Sequence, residues 1–247
     1  MFSFLVFMWN IVVDMSGMPP DDIYIGLVLF NDKYKPKFLY EFYQEFPDLR
    51  AYAKKSTRVD NDKLLKILRF FNSKKLRMVC YQFGNHQWKK HERMLNELLK
   101  ERNPNHKYKN SFYRFYERLI GILYYYAITQ IGVKQDNYEV IACHESSIDI
   151  WEVFKTIQIL AKRDGWHIRP NANIRKVEHL LKMADYVAGA NRKLEDYQLE
   201  DVGRHIILKD PIKEADLRKI FGIWGSKDLN LSNFINKNQQ QDQASQK

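Results

Sequence analysis

Residues 9–30, WNIVVDMSGMPPDDIYIGLVLF, decide the fold of this chain. Residues 9–14 and 23–30 are apolar runs rich in β-branched and aromatic side chains, and each run predicts a buried strand. Residues 16–22 between them are dense in Gly, Pro, Ser and Asp, which favour turns. The pattern therefore predicts a hairpin of two strands at the start of the domain.

After the hairpin, the hydrophobic pattern alternates between strand and helix periodicity. Residues 31–46 contain Pro36 and precede Pro47, so we expect irregular structure there. Strands are predicted at residues 76–83, 138–143 and 166–174, and helices at residues 60–72, 88–101, 112–131, 149–164, 176–194 and 212–221. This order predicts an α/β domain with an antiparallel start and parallel crossovers later.

The chain has 247 residues, of which 45% are hydrophobic and 28% are charged, a composition typical of a folded globular protein. We expect a single domain over residues 8–222, preceded by an extension over residues 1–7 and followed by a polar, disordered tail over residues 223–247. The apolar run of residues 1–13 is shorter than the about 20 residues that span a bilayer, and it lacks the features of a signal peptide. We therefore expect no membrane attachment.

The two cysteines, Cys80 and Cys143, both lie in predicted strands and form no Cys-x-x-Cys pair. This placement predicts buried, reduced thiols and a cytoplasmic protein. The seven histidines are scattered and form no zinc-binding pattern with the cysteines.

The net charge of +10 comes from one segment of the chain. Residues 54–118, called the basic segment, contain 18 of the 40 Lys and Arg residues but only 6 of the 30 Asp and Glu residues, which gives this segment a net charge of +12. The rest of the chain has a net charge of −2, so the basic segment resembles an insertion into a nearly neutral frame. Such segregation of charge favours a nucleic-acid partner.

Aromatic residues are interleaved with the basic residues, and aromatic faces can stack on bases. These aromatic residues are Tyr81, Phe83, Trp88, Tyr108, Phe112, Tyr113, Phe115 and Tyr116. The candidate nucleic-acid-binding residues are Lys89, Lys90, Arg93, Lys107, Lys109 and Arg114. The alternative is that the charges form a solvated helix face and that the aromatic residues belong to the core.

Three acidic residues stand out against apolar surroundings. Asp14 ends the first predicted strand, Glu145 follows the strand at residues 138–143, and Asp185 lies within an apolar helix. Burying a carboxylate without a partner is costly, and three carboxylates beside one sheet would repel one another. Divalent cations relieve that repulsion, and oxygen ligands suit Mg²⁺ or Mn²⁺. The three acids therefore predict a metal site.

Each acid also has a structural explanation. Asp14 can cap the turn that follows it, and Asp185 can pair with a cation such as Arg192. Glu145 can be an acid at the start of a helix, where the helix dipole favours negative charge. Asp149, one turn later, is expected to be an acid of that kind, and it is a weaker candidate than Glu145 for the metal site.

Two motifs resemble the domain-of-unknown-function 3800 family. Residues 13–17, VDMSG, resemble the Asp-Glu-Ser-Gly motif that ends the first strand in that family, with Met15 in place of the Glu. Residues 183–190, MADYVAGA, resemble the C-terminal motif of the family, in which Ala-Asp is followed by two hydrophobic residues and Ala-Gly-Ala. The motifs occur in the order of the family, and the resemblance spans residues 8–194.

That family is considered ribonuclease H-like, so the resemblance implies a mixed five-stranded sheet with antiparallel first strands and flanking helices. It implies that Asp14, Glu145 and Asp185 are catalytic residues and metal ligands. Two Mg²⁺ or Mn²⁺ ions about 3.5–4 Å apart would then activate water and stabilise the leaving oxygen of a phosphodiester. Lys176 and His179 are further candidates for the same cleft, Lys176 as a phosphate contact.

The sequence therefore predicts a metal-dependent nuclease that acts on DNA or RNA. The alternative is a catalytically inactive nucleic-acid-binding or scaffold protein with a ribonuclease H-like fold. The replacement of the usual Glu of the family by Met15 favours that alternative.

Overall fold

The structure is a computed structural model that describes part of the chain in detail. The described residues are 9–18, 21–31, 34–50, 56–102, 115–132, 134, 136–142, 148–171, 178–200, 202 and 212–222. The expected extension at residues 1–7, the expected tail at residues 223–247, and Cys143 lie outside them.

A five-stranded mixed sheet forms the centre of the protein, in the order β3-β2-β1-β4-β5. The strands are β1 (Trp9–Ser16), β2 (Ile23–Asn31), β3 (Arg77–Phe83), β4 (Asn137–Ala142) and β5 (His167–Asn171). The β1–β2 and β2–β3 pairs are antiparallel, whereas the β1–β4 and β4–β5 pairs are parallel. The sheet confirms the predicted hairpin and the predicted ribonuclease H-like fold with antiparallel first strands.

Eight α-helices flank the sheet within the described residues, and none of them is long and apolar enough to cross a membrane. They are α1 (Lys35–Glu45), α2 (Asn61–Ser73), α3 (Asn85–Arg102), α4 (Phe115–Ile131), α5 (Ile150–Asp164), α6 (Glu178–Lys193), α7 (Asp196–Glu200) and α8 (Glu214–Phe221). Asp60 caps α2 by accepting a hydrogen bond from the Lys63 N–H. Asp149 caps α5 in the same way through the Trp151 N–H, which makes it the helix-start acid that we expected.

Helix α1 contradicts the irregular structure expected for residues 31–46. Pro36 lies in the first turn of α1, where its missing N–H costs no hydrogen bond and its fixed φ suits a helix. Phe38 and Phe42, one turn apart, are both buried against the sheet. The expectation was wrong because a proline breaks a helix only when it lies in the interior.

A hydrophobic core covers each face of the sheet. Helices α3, α4, α5 and α8 pack on one face, together with the side chains of Ile11 and Val13. Helices α1, α2 and α6 pack on the other face, together with Val12 and Val28. Because side chains alternate along a strand, the even-numbered residues of β1 face α6.

The basic segment is part of this framework and not an insertion, because it supplies α2, β3 and α3. Cys80 on β3 is buried and forms no disulfide, as predicted. Burial raises the pKa of the Cys80 thiol to about 12, so the thiol is protonated at neutral pH.

Helix α6 touches the sheet directly at Gly26 of β2. A Cβ atom at this position would overlap the carbonyl oxygen of Ala184 and lie 2.5 Å from the backbone nitrogen of Ala188. One strand further, the side-chain amide of Asn191 donates to Cys80 Sγ at 2.6 Å. A glycine at position 26 is therefore needed for α6 to lie this close to the sheet.

The substitution Gly26→Ala should lower the free energy of unfolding by about 3 kcal/mol or more, because backbone atoms of α6 stand in the way of the new methyl group. The control is Gly222→Ala, which adds the same methyl group in open space at a φ of 66° and should cost about 1–2 kcal/mol of backbone strain. Urea denaturation measures both. An equal or smaller loss of stability for Gly26→Ala would contradict the described packing.

Candidate functional site

Asp14 lies near the carboxyl end of β1, the central strand, and its side chain is half-buried on the α6 face of the sheet. The register places Asp14 opposite Gly26, and residues directly opposite each other project from the same face. Because Gly26 touches α6, Asp14 faces α6 as well. One carboxylate oxygen of Asp14 accepts a hydrogen bond from the Met15 N–H at 2.9 Å.

A hydrogen bond of Arg192 shows that the side of α6 that carries Asp185 lies toward β1. The two residues are seven positions apart on α6, about two turns, so they project from nearly the same side. Arg192 Nη1 donates to the Ser16 hydroxyl at 3.3 Å, and Ser16 lies two residues after Asp14 on β1. Asp14 therefore faces α6, and Asp185 projects from the side of α6 that lies toward the carboxyl end of β1. The region between these two sides is called the acidic groove.

The carboxylate of Asp185 is held by the 3₁₀ turn Ser56–Arg58, called the Ser56 turn. The Ser56 N–H donates to Oδ2 at 2.6 Å, and the Ser56 hydroxyl donates to Oδ1 at 2.7 Å. An ion pair of Asp185 with Arg192, which the sequence offered as an alternative, does not form, because Arg192 reaches Ser16 instead.

The two described acids suit a divalent cation. An ionised carboxylate has about four lone-pair positions, and Ser56 uses two of those on Asp185. Carboxylates that bind metals are commonly held by such outer hydrogen bonds. Asp14 and Asp185 can therefore supply the hard oxygen ligands that Mg²⁺ and Mn²⁺ prefer.

Glu145, the third predicted ligand, lies outside the described residues, as does Lys176. Among the described residues, no group of three or more His, Cys, Asp or Glu side chains is close enough to hold a metal ion. Ala142, the last residue of β4, pairs with Val13, the residue before Asp14 on β1.

Two other residues singled out in the sequence do not face the groove. His179 is six residues before Asp185, which places it about 120° away around α6, and its Nδ1 lies 2.6 Å from the Tyr43 hydroxyl. Met15 projects from the opposite face of the sheet to Asp14 and is buried in the core with Ile25. Met15 in place of Glu therefore removes no carboxylate from the face that carries Asp14.

Lys89, Lys90 and Arg93 lie exposed on α3. The start of α3 is tied to the β1–β2 turn, because Asp22 Oδ1 accepts from the Asn85 N–H at 2.7 Å. This turn follows the carboxyl end of β1, so the three cations lie toward the end of the sheet that carries Asp14. The other candidate nucleic-acid-binding residues, Lys107, Lys109 and Arg114, lie outside the described residues.

The aromatic residues of the basic segment belong mainly to the core, and the hypothesis that they stack on bases is wrong for those that are buried. The residues at most 2% exposed are Tyr81, Phe83, Trp88 and Phe115. Tyr116 is partly buried against the same core, and Tyr108, Phe112 and Tyr113 lie outside the described residues. Acids outside the basic segment also neutralise part of its charge, since Lys63 pairs with Asp48 and Lys74 with Glu41.

Two features of the structure have no recognisable pattern in the sequence. Ser56 is 129 residues from Asp185 and lies in an ordinary polar stretch. A cavity of about 600 Å³ lies at the opposite end of β1, and Trp9, Tyr138 and Arg77 are among the residues that line it. Neither Asp14 nor Asp185 lines this cavity, so it is separate from the acidic groove.

No protein-family model matches the sequence, and no curated protein sequence matches it. Among solved structures, ribonuclease H2 from Pyrococcus horikoshii OT3 is 14% identical with a TM-score of 0.43, over 79% of this chain and 75% of that one. Ribonuclease HII from Archaeoglobus fulgidus, solved in a complex with PCNA, is 11% identical with a TM-score of 0.43, over 94% of this chain and 90% of that one.

The substitution Asp185→Ala should lower the free energy of unfolding by about 1–3 kcal/mol, because it leaves the buried N–H and hydroxyl of Ser56 without their acceptors. Asp185→Asn should cost less, since its amide keeps one acceptor and the Ser56 hydroxyl can rotate to accept from the amide NH₂. Urea denaturation of the three proteins measures the difference. If Asp185→Ala were as stable as the wild type, the described pair of hydrogen bonds would be wrong.

Proposed function

We propose that this protein is a metal-dependent nuclease that hydrolyses phosphodiester bonds in DNA or RNA, and that it belongs to the domain-of-unknown-function 3800 family. The proposal is supported by the placement of Asp14 and Asp185, which are 171 residues apart in the sequence. Asp14 faces α6 from the central strand, and Asp185 lies on the side of α6 from which Arg192 reaches Ser16 of that strand. These are the two acids of the two motifs that resemble the family.

Glycines in both motifs support the same interpretation, because each allows a close approach beside the groove. Gly17 has a φ of 97°, and a Cβ atom there would overlap the carbonyl oxygen of Asp22 across the turn. Gly189 lies against the side chain of Ser56, which holds Asp185. The glycines of the motifs thus shape the surroundings of the acids.

In this proposal, Asp14, Glu145 and Asp185 hold Mg²⁺ or Mn²⁺. When bound, the ions supply activation of a water molecule and stabilisation of the charge on the leaving oxygen. The cations Lys89, Lys90 and Arg93 on α3 attract the phosphates of the substrate toward the same end of the sheet. The second candidate function is an inactive nucleic-acid-binding or scaffold protein, which is favoured by the fact that Asp185 already anchors the Ser56 turn.

Labelled DNA and RNA, single- and double-stranded, should be cleaved in the presence of Mg²⁺ or Mn²⁺. Loss of a residue that hydrogen-bonds to a metal ligand typically costs about 10–100-fold in activity. Asp14→Asn and Asp185→Asn each change a proposed ligand itself, so each should reduce the rate of cleavage by more than that. The matched control is Asp60→Asn, which makes the same change at the cap of α2, where Asn serves as well as Asp.

Equal rates for the wild type, Asp14→Asn and Asp185→Asn would contradict the nuclease proposal. Titration calorimetry distinguishes the second candidate function from the nuclease. An inactive nucleic-acid-binding protein would bind nucleic acid without binding Mn²⁺ tightly, and a scaffold protein would bind neither nucleic acid nor Mn²⁺. The nuclease proposal requires Mn²⁺ binding that is lost in Asp14→Asn.

The role of α3 can be tested through the salt dependence of nucleic-acid binding. Replacing Lys89, Lys90 and Arg93 by Gln should weaken binding and reduce the slope of log K against log salt concentration by about 0.7–0.9 for each phosphate that is no longer neutralised. Fluorescence anisotropy at several salt concentrations measures this slope. Replacing Lys134, Lys155 and Lys162, which are exposed, by Gln makes the same change in net charge elsewhere. Equal effects of the two triple variants would show that only total charge matters and would contradict a role specific to α3.

A further inference from the structure

We infer that Ser56 is a positioning residue for the metal site, and that it holds the Asp185 carboxylate in the orientation in which a cation binds. The inference rests on the proposed function and adds to it a residue outside both motifs.

The first support is the geometry of the hydrogen bonds between Ser56 and Asp185. Both oxygens of Asp185 accept a hydrogen bond from the same residue, at 2.6 and 2.7 Å, which fixes the rotation of the carboxylate about its last bond. Ser56 is itself 0% exposed, so water does not compete for its two donors. The carboxylate is therefore held before any ligand arrives.

The second support is the packing of the Ser56 turn against α6. Asp185, Gly189 and Lys193 recur at intervals of four and form a stripe along one side of the helix. A Cβ atom at Gly189 would overlap the side chain of Ser56, so only glycine allows this approach. Lys193 Nζ donates to the carbonyl oxygens of Ser56, Thr57 and Val59 at 3.0, 3.0 and 2.9 Å.

Different residues anchor the Ser56 turn to α6 and position the Asp185 carboxylate. Lys193 binds the carbonyl side of the turn, and these hydrogen bonds alone would fasten it to α6. Ser56 holds Asp185 with two uncharged donors, which leave the negative charge of the carboxylate in place. A lysine or arginine in the place of Ser56 would neutralise that charge and compete with a metal ion. Outer partners of this kind typically contribute about 10–100-fold to metal affinity.

The experiment is titration calorimetry with Mn²⁺ on the full chain, at a temperature where circular dichroism shows each variant folded. Ser56→Ala should weaken Mn²⁺ binding by about 10–100-fold. Ser56→Cys keeps a weak donor and should lie between Ser56→Ala and the wild type. The control Ser73→Ala removes the same hydroxyl from a hydrogen bond to the Phe70 carbonyl on α2 and should bind Mn²⁺ like the wild type.

A merely structural role for Ser56 would lower the melting temperature of Ser56→Ala and leave its Mn²⁺ affinity equal to that of Ser73→Ala, and this result would overturn the inference. Lys193→Met provides a second test, because it loosens the turn and leaves the two donors of Ser56 in place. A greater loss of Mn²⁺ affinity in Lys193→Met than in Ser56→Ala would also overturn the inference. If Asp185→Asn binds Mn²⁺ as the wild type does, the proposed function itself fails, whatever Ser56→Ala shows.

Discussion

The close packing of α6 on the sheet at Gly26 is the constraint on which the rest of the structure depends. Because no side chain separates β2 from the backbone of Ala184 and Ala188, α6 lies low across the central strands. This depth lets Asn191 reach Cys80 on one side and Arg192 reach Ser16 on the other. It also brings Asp185, which is on the Arg192 side, to the groove that Asp14 faces. The small residues of the motif at residues 183–190 thus have a packing reason that is separate from any chemistry.

The same helix explains why two carboxylates can share a groove in a folded protein. Asp14 and Asp185 repel each other when both are ionised, and burial strengthens that repulsion. The hydrogen bonds from Ser56 and from the Met15 N–H offset part of the cost without cancelling the charge. A divalent cation would offset the remainder. This is the physical reason to prefer the nuclease proposal over a binding or scaffold role.

Local patterns in the sequence predicted the elements that depend on local forces. The hairpin of β1 and β2 and the helices α2 and α5 all follow from patterns among neighbouring residues. Long-range interactions decided the rest. The hydrogen bonds between Ser56 and Asp185 join residues that are 129 positions apart. The sequence around the aromatic residues of the basic segment does not indicate which of them are buried in the core. The error at α1 has a different cause, since Pro36 marks the start of a helix and not a break.

The structure also changes the interpretation of the basic segment. It is built into the sheet and both helical layers, and of its six charged candidates the three that are described, Lys89, Lys90 and Arg93, lie on α3. The nuclease proposal requires that Asp14 and Asp185 form one cation site. Anomalous diffraction at the manganese edge, from crystals grown with Mn²⁺, tests for this site. We predict an anomalous peak bound by both carboxylates, and a groove without manganese in crystals that bind it elsewhere would contradict the claim.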